Sequence, residues 1–147
     1  MTMEDQIRTG QHPYFPPDVI IPGYVPNSSP LLGILAAFGG LVFAFSLGSI
    51  TLAKWHNQGL SGRDQLAIGW FALCGFLHCF FEGYFVLFHA TIPSSQSLFA
   101  QLWKEYGLSD SRYLTSDPFM LCIEWLTVVC SLSFPIKLNL IDHYIYR

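Results

Sequence analysis

The stretch GWFALCGFLHCFFEGYFVLF, residues 69–88, decides the fold. It is almost wholly apolar, and an apolar helix of this length crosses a hydrocarbon core of about 30 Å. It nonetheless carries His78 and Glu82. Four residues apart, the two side chains share one helix face, one turn above the other. Ionisable groups at such depth are costly and mark function by default. The rest of the chain is therefore read for what this pair faces.

Composition agrees with a membrane setting. Of the 147 residues, 52% are apolar, 16% aromatic and only 12% charged, against roughly 25% charged in a soluble domain. The length suits one domain. A net charge of -3 with no basic run gives no reason to expect nucleic acid. Cys74, Cys79, Cys122 and Cys130 fall inside apolar stretches without C-x-x-C spacing, so they read as packing residues rather than redox or zinc ligands. No positive region leads into an apolar one at the N-terminus, so no cleaved signal peptide is expected and the first spanning helix serves as the insertion signal.

Outward from the central stretch, the second helix covers about 65–88, with Ser61 as a candidate cap and Gln65 one position beyond the ideal capping-box partner. Before it, Leu31 to Ala53 is uncharged and spans a bilayer with some tilt. Gly39, Gly40 and Gly48 offer it flat surfaces for a neighbouring helix. Residues 1–30 are polar and then punctuated by proline, which denies them helix and central strand. They read as a lead-in, with Tyr14, Phe15 and Tyr24 suited to a membrane interface and His12 as a surface residue. After the second helix, Pro93-Ser94-Ser95 ends it. Gln96 to Tyr106 is a short amphipathic helix expected in the interface, its apolar face built from Leu98, Phe99, Leu102, Trp103 and Tyr106 with Lys104 and Glu105 between them. Asp117 caps and Pro118 opens a third helix over about 118–134, where Pro135 ends or kinks it. It is apolar except for Glu124 and hydroxyls that include Thr127, three residues on. The tail, 137–147, holds no further spanning run. Basic residues near the ends divide four to three, which tips the N-terminus to the non-cytoplasmic side.

The pattern predicts an all-α, polytopic transmembrane bundle of three spanning helices with one short interfacial helix. His78, Glu82 and Glu124 are buried ionisable groups on two of the spans, and each is least costly if they face one another. A carboxylate beside an imidazole, with a second carboxylate near, can hold and pass a proton in a dry cavity. Two alternatives stand beside that reading. The groups could form a polar clamp between helices, joined with Thr127. H-x-x-x-E could also begin a metal site, but no third ligand stands at a familiar spacing and H-E-x-x-H is absent, so no metal is expected.

The residues that raise the question also carry a resemblance. Gly69-Trp70-Phe71-Ala72-Leu73-Cys74-Gly75-Phe76-Leu77-His78, followed by Glu82-Gly83-Tyr84-Phe85-Val86-Leu87, is similar to the emopamil-binding protein family of sterol Δ8–Δ7 isomerases, within the EXPERA group. His12-Pro13-Tyr14, Val25-Pro26-Asn27, Leu102-Trp103-Lys104-Glu105-Tyr106, Asp110-Ser111-Arg112-Tyr113 and the Cys122-x-Glu124 pair resemble further segments of that family. The resemblance covers almost the whole chain. It implies a multi-pass endoplasmic reticulum enzyme that moves a sterol double bond from C8–C9 to C7–C8, without cofactor or metal. It carries His78, Glu82 and Glu124 onto the proton-handling positions, and Asp110 and Thr127 onto positions associated with function. Trp70, Phe81, Tyr84 and Trp125 are candidate aromatic neighbours of the substrate, with a face to offer a cation. The partners it implies are a sterol substrate, the lipid bilayer and cationic amphiphilic ligands, with a homodimer allowed. A non-catalytic sterol or amine binder, or an isomerase of another polycyclic terpenoid, are the competing functions. The family has five spanning helices, and this chain resembles a member shortened after its third, with residues 137–147 unlike a family helix.

Overall fold

The computed structural model describes residues 12–145, with side chains to Ser131. Among the described residues every regular element is helical. Helix α1 runs over Leu31–His56. Helix α2, Gly62–Phe76, passes without a break into a π-helical turn at Leu77–Glu82 and then into α3, Gly83–Phe88. A short helix, α4, occupies Leu98–Tyr106, a 3-10 turn Ser111–Leu114, and helix α5 Pro118–Ile145. Among the described residues, two rods, Leu31–His56 and the continuous Gly62–Phe88, are long and apolar enough to cross a membrane.

Caps account for where the helices begin. Ser61 and Asp64 close a reciprocal capping box at the start of α2, so Asp64 fills the position for which Gln65 stands one residue late. Gln65 instead donates to the Leu60 carbonyl at 3.1 Å. Ser97 accepts from the Ala100 amide and starts α4 two residues later than the apolar pattern suggests. Asp117 accepts from the amides of Phe119 and Met120 at 2.9 and 3.1 Å, as its place before Pro118 predicts. The backbone of α5 does not stop near 134 but continues through Pro135 to Ile145. A proline there removes a single backbone bond, which a helix tolerates where neighbours or local adjustment satisfy the freed carbonyl.

The Gly62–Phe88 rod lies between the other two long helices. Its first half packs on α1, and its π turn and α3 pack on α5. The close approach to α1 falls at Gly69, where a Cβ would meet Ile50 Cδ1 at 3.0 Å. Nothing within the described residues lies within 4 Å of a Cβ placed at Gly39, Gly40 or Gly48, so those flat positions are not used by the helices described. Most of α1 faces outward, with Leu32 and Phe43 well exposed.

The core sits at one end of the bundle, as an aromatic cap. Tyr14, Ile21, Phe85, Ile92, Trp103, Tyr113, Leu114 and Met120 are all buried there. Residues 12–30, read as a lead-in, form one wall of this cap. His12 Nε2 lies 2.7 Å from the Val19 carbonyl, and the Tyr14 hydroxyl donates to the Lys104 carbonyl at 3.1 Å. Asn27 donates to the Gln101 carbonyl and to the Glu105 carboxylate. Lys104, between the apolar positions of α4 in sequence, is only 1% exposed. Its ammonium donates to the carbonyls of Val25 and Ser95, each at 2.9 Å. The extended, proline-rich segment supplies carbonyls that no helix or strand consumes, and so makes burial of a cation affordable. Burial still pushes the Lys104 ammonium below its ordinary range.

Candidate functional site

The π turn carries the two residues that open the question. His78 Nδ1 lies 2.8 Å from both Glu82 oxygens. A π turn is rare in proteins and is frequent at functional sites. Here the Gly83 amide donates to the His78 carbonyl, five residues back. The His78 side chain is 37% exposed and that of Glu82 18%. With Nδ1 committed to the carboxylate, Nε2 is the ring nitrogen left to face outward, and the Nδ1 partner fixes the tautomer.

Helix α5 brings the second half. Thr127 Oγ1 donates to Glu82 Oε2 and also lies 2.8 Å from the Glu124 carbonyl. A hydroxyl has one proton, so the Glu82 contact uses it and the carbonyl sits nearby. Glu124 is 7% exposed, and its Oε1 accepts from the Tyr113 hydroxyl at 2.9 Å. Thr127, bonded to Glu82 and one turn from Glu124 on the same helix, links the two sets. The groups therefore form one connected patch, His78–Glu82–Thr127 on one side and Glu124–Tyr113 on the other.

Tyr113 is the member that the sequence pattern does not single out. It stands in the polar segment Asp110-Ser111-Arg112-Tyr113, where nothing marks it as a site residue. In the structure the 3-10 turn aims it inward, against Phe85, Trp103 and Tyr106 at centroid distances of 5.3, 5.0 and 5.1 Å. Burial first, and the bond to Glu124 second, raise its phenol above the ordinary range. It therefore keeps its proton and acts as donor to the carboxyl.

The remaining candidates lie elsewhere. Asp110 caps the 3-10 turn and takes a bidentate grip on the Arg112 guanidinium, with contacts of 2.6 to 3.1 Å. That bond holds the Asp110 carboxyl below its usual range. Tyr84 turns to the cap, with its hydroxyl 2.7 Å from Ser97 Oγ and its ring against Phe88 and Phe99. Trp70 and Trp125 are 63% and 56% exposed, each on an outer surface of its helix. Phe81 stacks on Trp103, with centroids 4.3 Å apart and the rings 8° from parallel. The Trp103 indole N–H also donates to the Phe81 carbonyl at 3.0 Å.

Residues 98–137 match the family model described as EXPERA, the expanded EBP superfamily. Over 131 residues the chain is 37% identical to the 3-beta-hydroxysteroid-Delta(8),Delta(7)-isomerase of Mus musculus, covering 86% of this chain and 55% of that protein. The chain belongs to the EXPERA family. It is also 35% identical to a probable 3-beta-hydroxysteroid-Delta(8),Delta(7)-isomerase of Arabidopsis thaliana, over 80% of this chain and 52% of the relative. A protoglabretal synthase of Ailanthus altissima is 34% identical, with 80% of this chain and 54% of that protein covered. The chain thus spans about half the length of the curated relatives it matches. Within it, the EXPERA match includes Tyr113, Glu124 and Thr127, and so takes in the α5 half of the site.

Proposed function

We propose that this chain carries the proton-handling part of a sterol Δ8–Δ7 isomerase in the endoplasmic reticulum membrane. The observation that carries the reading is the connected set His78–Glu82–Thr127 beside Glu124–Tyr113, in a family whose relatives bear isomerase names. Δ8-to-Δ7 transfer needs one proton delivered to C9, a transient cation at C8, and one proton removed from C7. His78, as an imidazolium whose Nδ1–H is held by Glu82, is suited to deliver the proton from Nε2 and return to the neutral Nδ1–H form. Glu124 is suited to serve as the second proton carrier, with Tyr113 and Thr127 holding the carboxylates in place. Negative charge on the two carboxylates stabilises the cation in a water-poor site.

Trp70 and Trp125 offer exposed aromatic faces on α2 and α5 to a flat apolar ring system, whereas Tyr84 and Asp110, the other two substrate-side candidates, are bonded within the cap to Ser97 and Arg112. α5 serves as a third span, so that the chain crosses the bilayer three times with α4 in the interface. Purified chain in nanodiscs, given a Δ8 sterol, should yield its Δ7 isomer by gas chromatography with mass detection. His78→Ala and Glu124→Gln should abolish the conversion. Folded, sterol-binding chain that converts nothing sinks the reading. The protoglabretal synthase among the relatives favours a second substrate class, another polycyclic terpenoid, which the same assay tests by replacing the sterol. A binder without turnover would instead hold a cationic amphiphile, through the two carboxylates, with no product in either assay.

A further inference from the structure

The Gly62–Phe88 rod changes its hydrogen-bond pattern twice, from α to π at Leu77 and back to α at Gly83. Where i→i−5 pairing gives way to i→i−4, the backbone offers a carbonyl to a donor from outside the helix. The Phe81 carbonyl lies inside this turn and takes the Trp103 indole N–H at 3.0 Å. The same indole lies flat on the Phe81 ring and is itself 1% exposed, held by Phe85 and Tyr113. Tyr113 in turn donates to Glu124. One indole therefore touches the backbone of the turn that bears His78 and Glu82, and also the phenol that holds the opposing carboxyl.

We infer that Trp103 is a positioning residue: its N–H latches the π turn at Phe81 and so holds Glu82, with its bonded His78, against Thr127. The role rests on the proton-handling reading of the site, and it reaches the site only through Phe81 and Tyr113. A helix that recovers regular α pairing turns Glu82 about its axis, away from Thr127, because the π turn holds one residue more per turn than the α helix around it. Loss of one hydrogen bond inside a buried junction is worth about a tenfold change in the population of the latched turn.

The test replaces Trp103 in the full chain, reconstituted in nanodiscs, first with Phe and then with benzothienylalanine, which keeps the ring shape and removes only the N–H. Two readouts do not depend on turnover. One is hydrogen exchange of the Gly83 amide, expected to speed up about tenfold while amides of α1 stay unchanged. The other is the downfield proton resonance of the His78 Nδ1 hydrogen bond, expected to weaken or move upfield. Where Δ8-to-Δ7 conversion is present, kcat should fall with KM nearly constant. Trp103→Phe with both spectroscopic readouts as in the wild type overturns the inference. If Trp103→Phe does not fold, the benzothienylalanine chain decides, and the wild-type pattern in it overturns the inference too. Spectroscopic changes in a chain that shows no conversion at all support the latch and count against the isomerase reading instead.

Discussion

Tyr113 shows how a side chain can matter to chemistry without ionising. Its phenol is held neutral by burial and by its bond to Glu124, so it supplies that carboxyl with a fixed proton donor. Tyr113→Phe keeps the ring and its contacts with Phe85 and Trp103, and removes only that donor. If the proposed isomerisation holds, turnover should then fall by about tenfold or more, with the thermal midpoint little changed, as read by product formation and by a melt in detergent. Asp110 makes a different prediction. Its carboxyl sits below the ordinary range because Arg112 hydrogen-bonds its charged form. Its contribution is therefore fully present above about pH 4 and lost as pH falls through the lower folded value. The melting midpoint of the cap should drop in acid for the wild type, and Asp110→Asn should flatten that dependence; equal acid sensitivity in both chains would contradict it. His78, Glu82 and Glu124 stand out in the sequence because charge in an apolar run is costly, and the structure pairs His78 with Glu82 and buries Glu124. Tyr113 does not stand out, because a tyrosine among Ser, Asp and Arg carries no sign of which way its loop will turn.

Helix existence could be read from apolar length and from caps, and the Asp117-Pro118 start is met by the amide bonds it implies. The π turn could not. It coincides with packing against α5 and with the Trp103 bond, both contacts from far along the chain, and residues 77–82 have nothing in their composition that differs from an α helix. Lys104 misleads for a related reason: its neighbours in sequence mark a polar face, but residues 12–30 cover that face. Glycine spacing shows the same limit. Gly39, Gly40 and Gly48 look like packing surfaces, whereas contact falls at Gly69 and Gly107. At Gly107 a Cβ would meet Leu114 at 3.0 Å and the Trp103 carbonyl at 3.3 Å. Leu114 is 1% exposed and has no room to move. At Gly69 only the flexible end of Ile50 is in the way. Gly107→Ala should cost about 1–3 kcal/mol and Gly69→Ala less than about 1 kcal/mol, measured as shifts in thermal unfolding in one detergent. A reversed order would show that the α4 junction is looser than its geometry implies.

The molecule as a whole is a bundle with its packed core at one end and apolar helix surfaces along its length. Segment 12–30 and the connection 89–117 share the cap, tied by the Val25 amide to the Pro93 carbonyl at 2.9 Å and by Lys104. The turn from His56 to Gly62 lies between α1 and α2, at the far end of both rods. On the proposed reading, in which both rods cross the bilayer, their shared turn lies on one side and the cap on the other, because an even number of crossings returns the chain to its starting face. That arrangement also explains why the aromatic core is not in the middle of the bundle: lipid gives apolar helix faces no reason to bury one another, while the polar backbone of the connections must find partners in the cap. Gly59→Cys and Ser109→Cys, both at exposed positions, turn this into a measurement. In sealed microsomes a membrane-impermeant maleimide should label one of the two, and permeabilisation should be needed for the other, with the four native cysteines scored in an unsubstituted control. Equal labelling of both from outside would place the cap and the short turn on one face, and would mean that the Gly62–Phe88 rod, with His78 and Glu82 on it, does not cross.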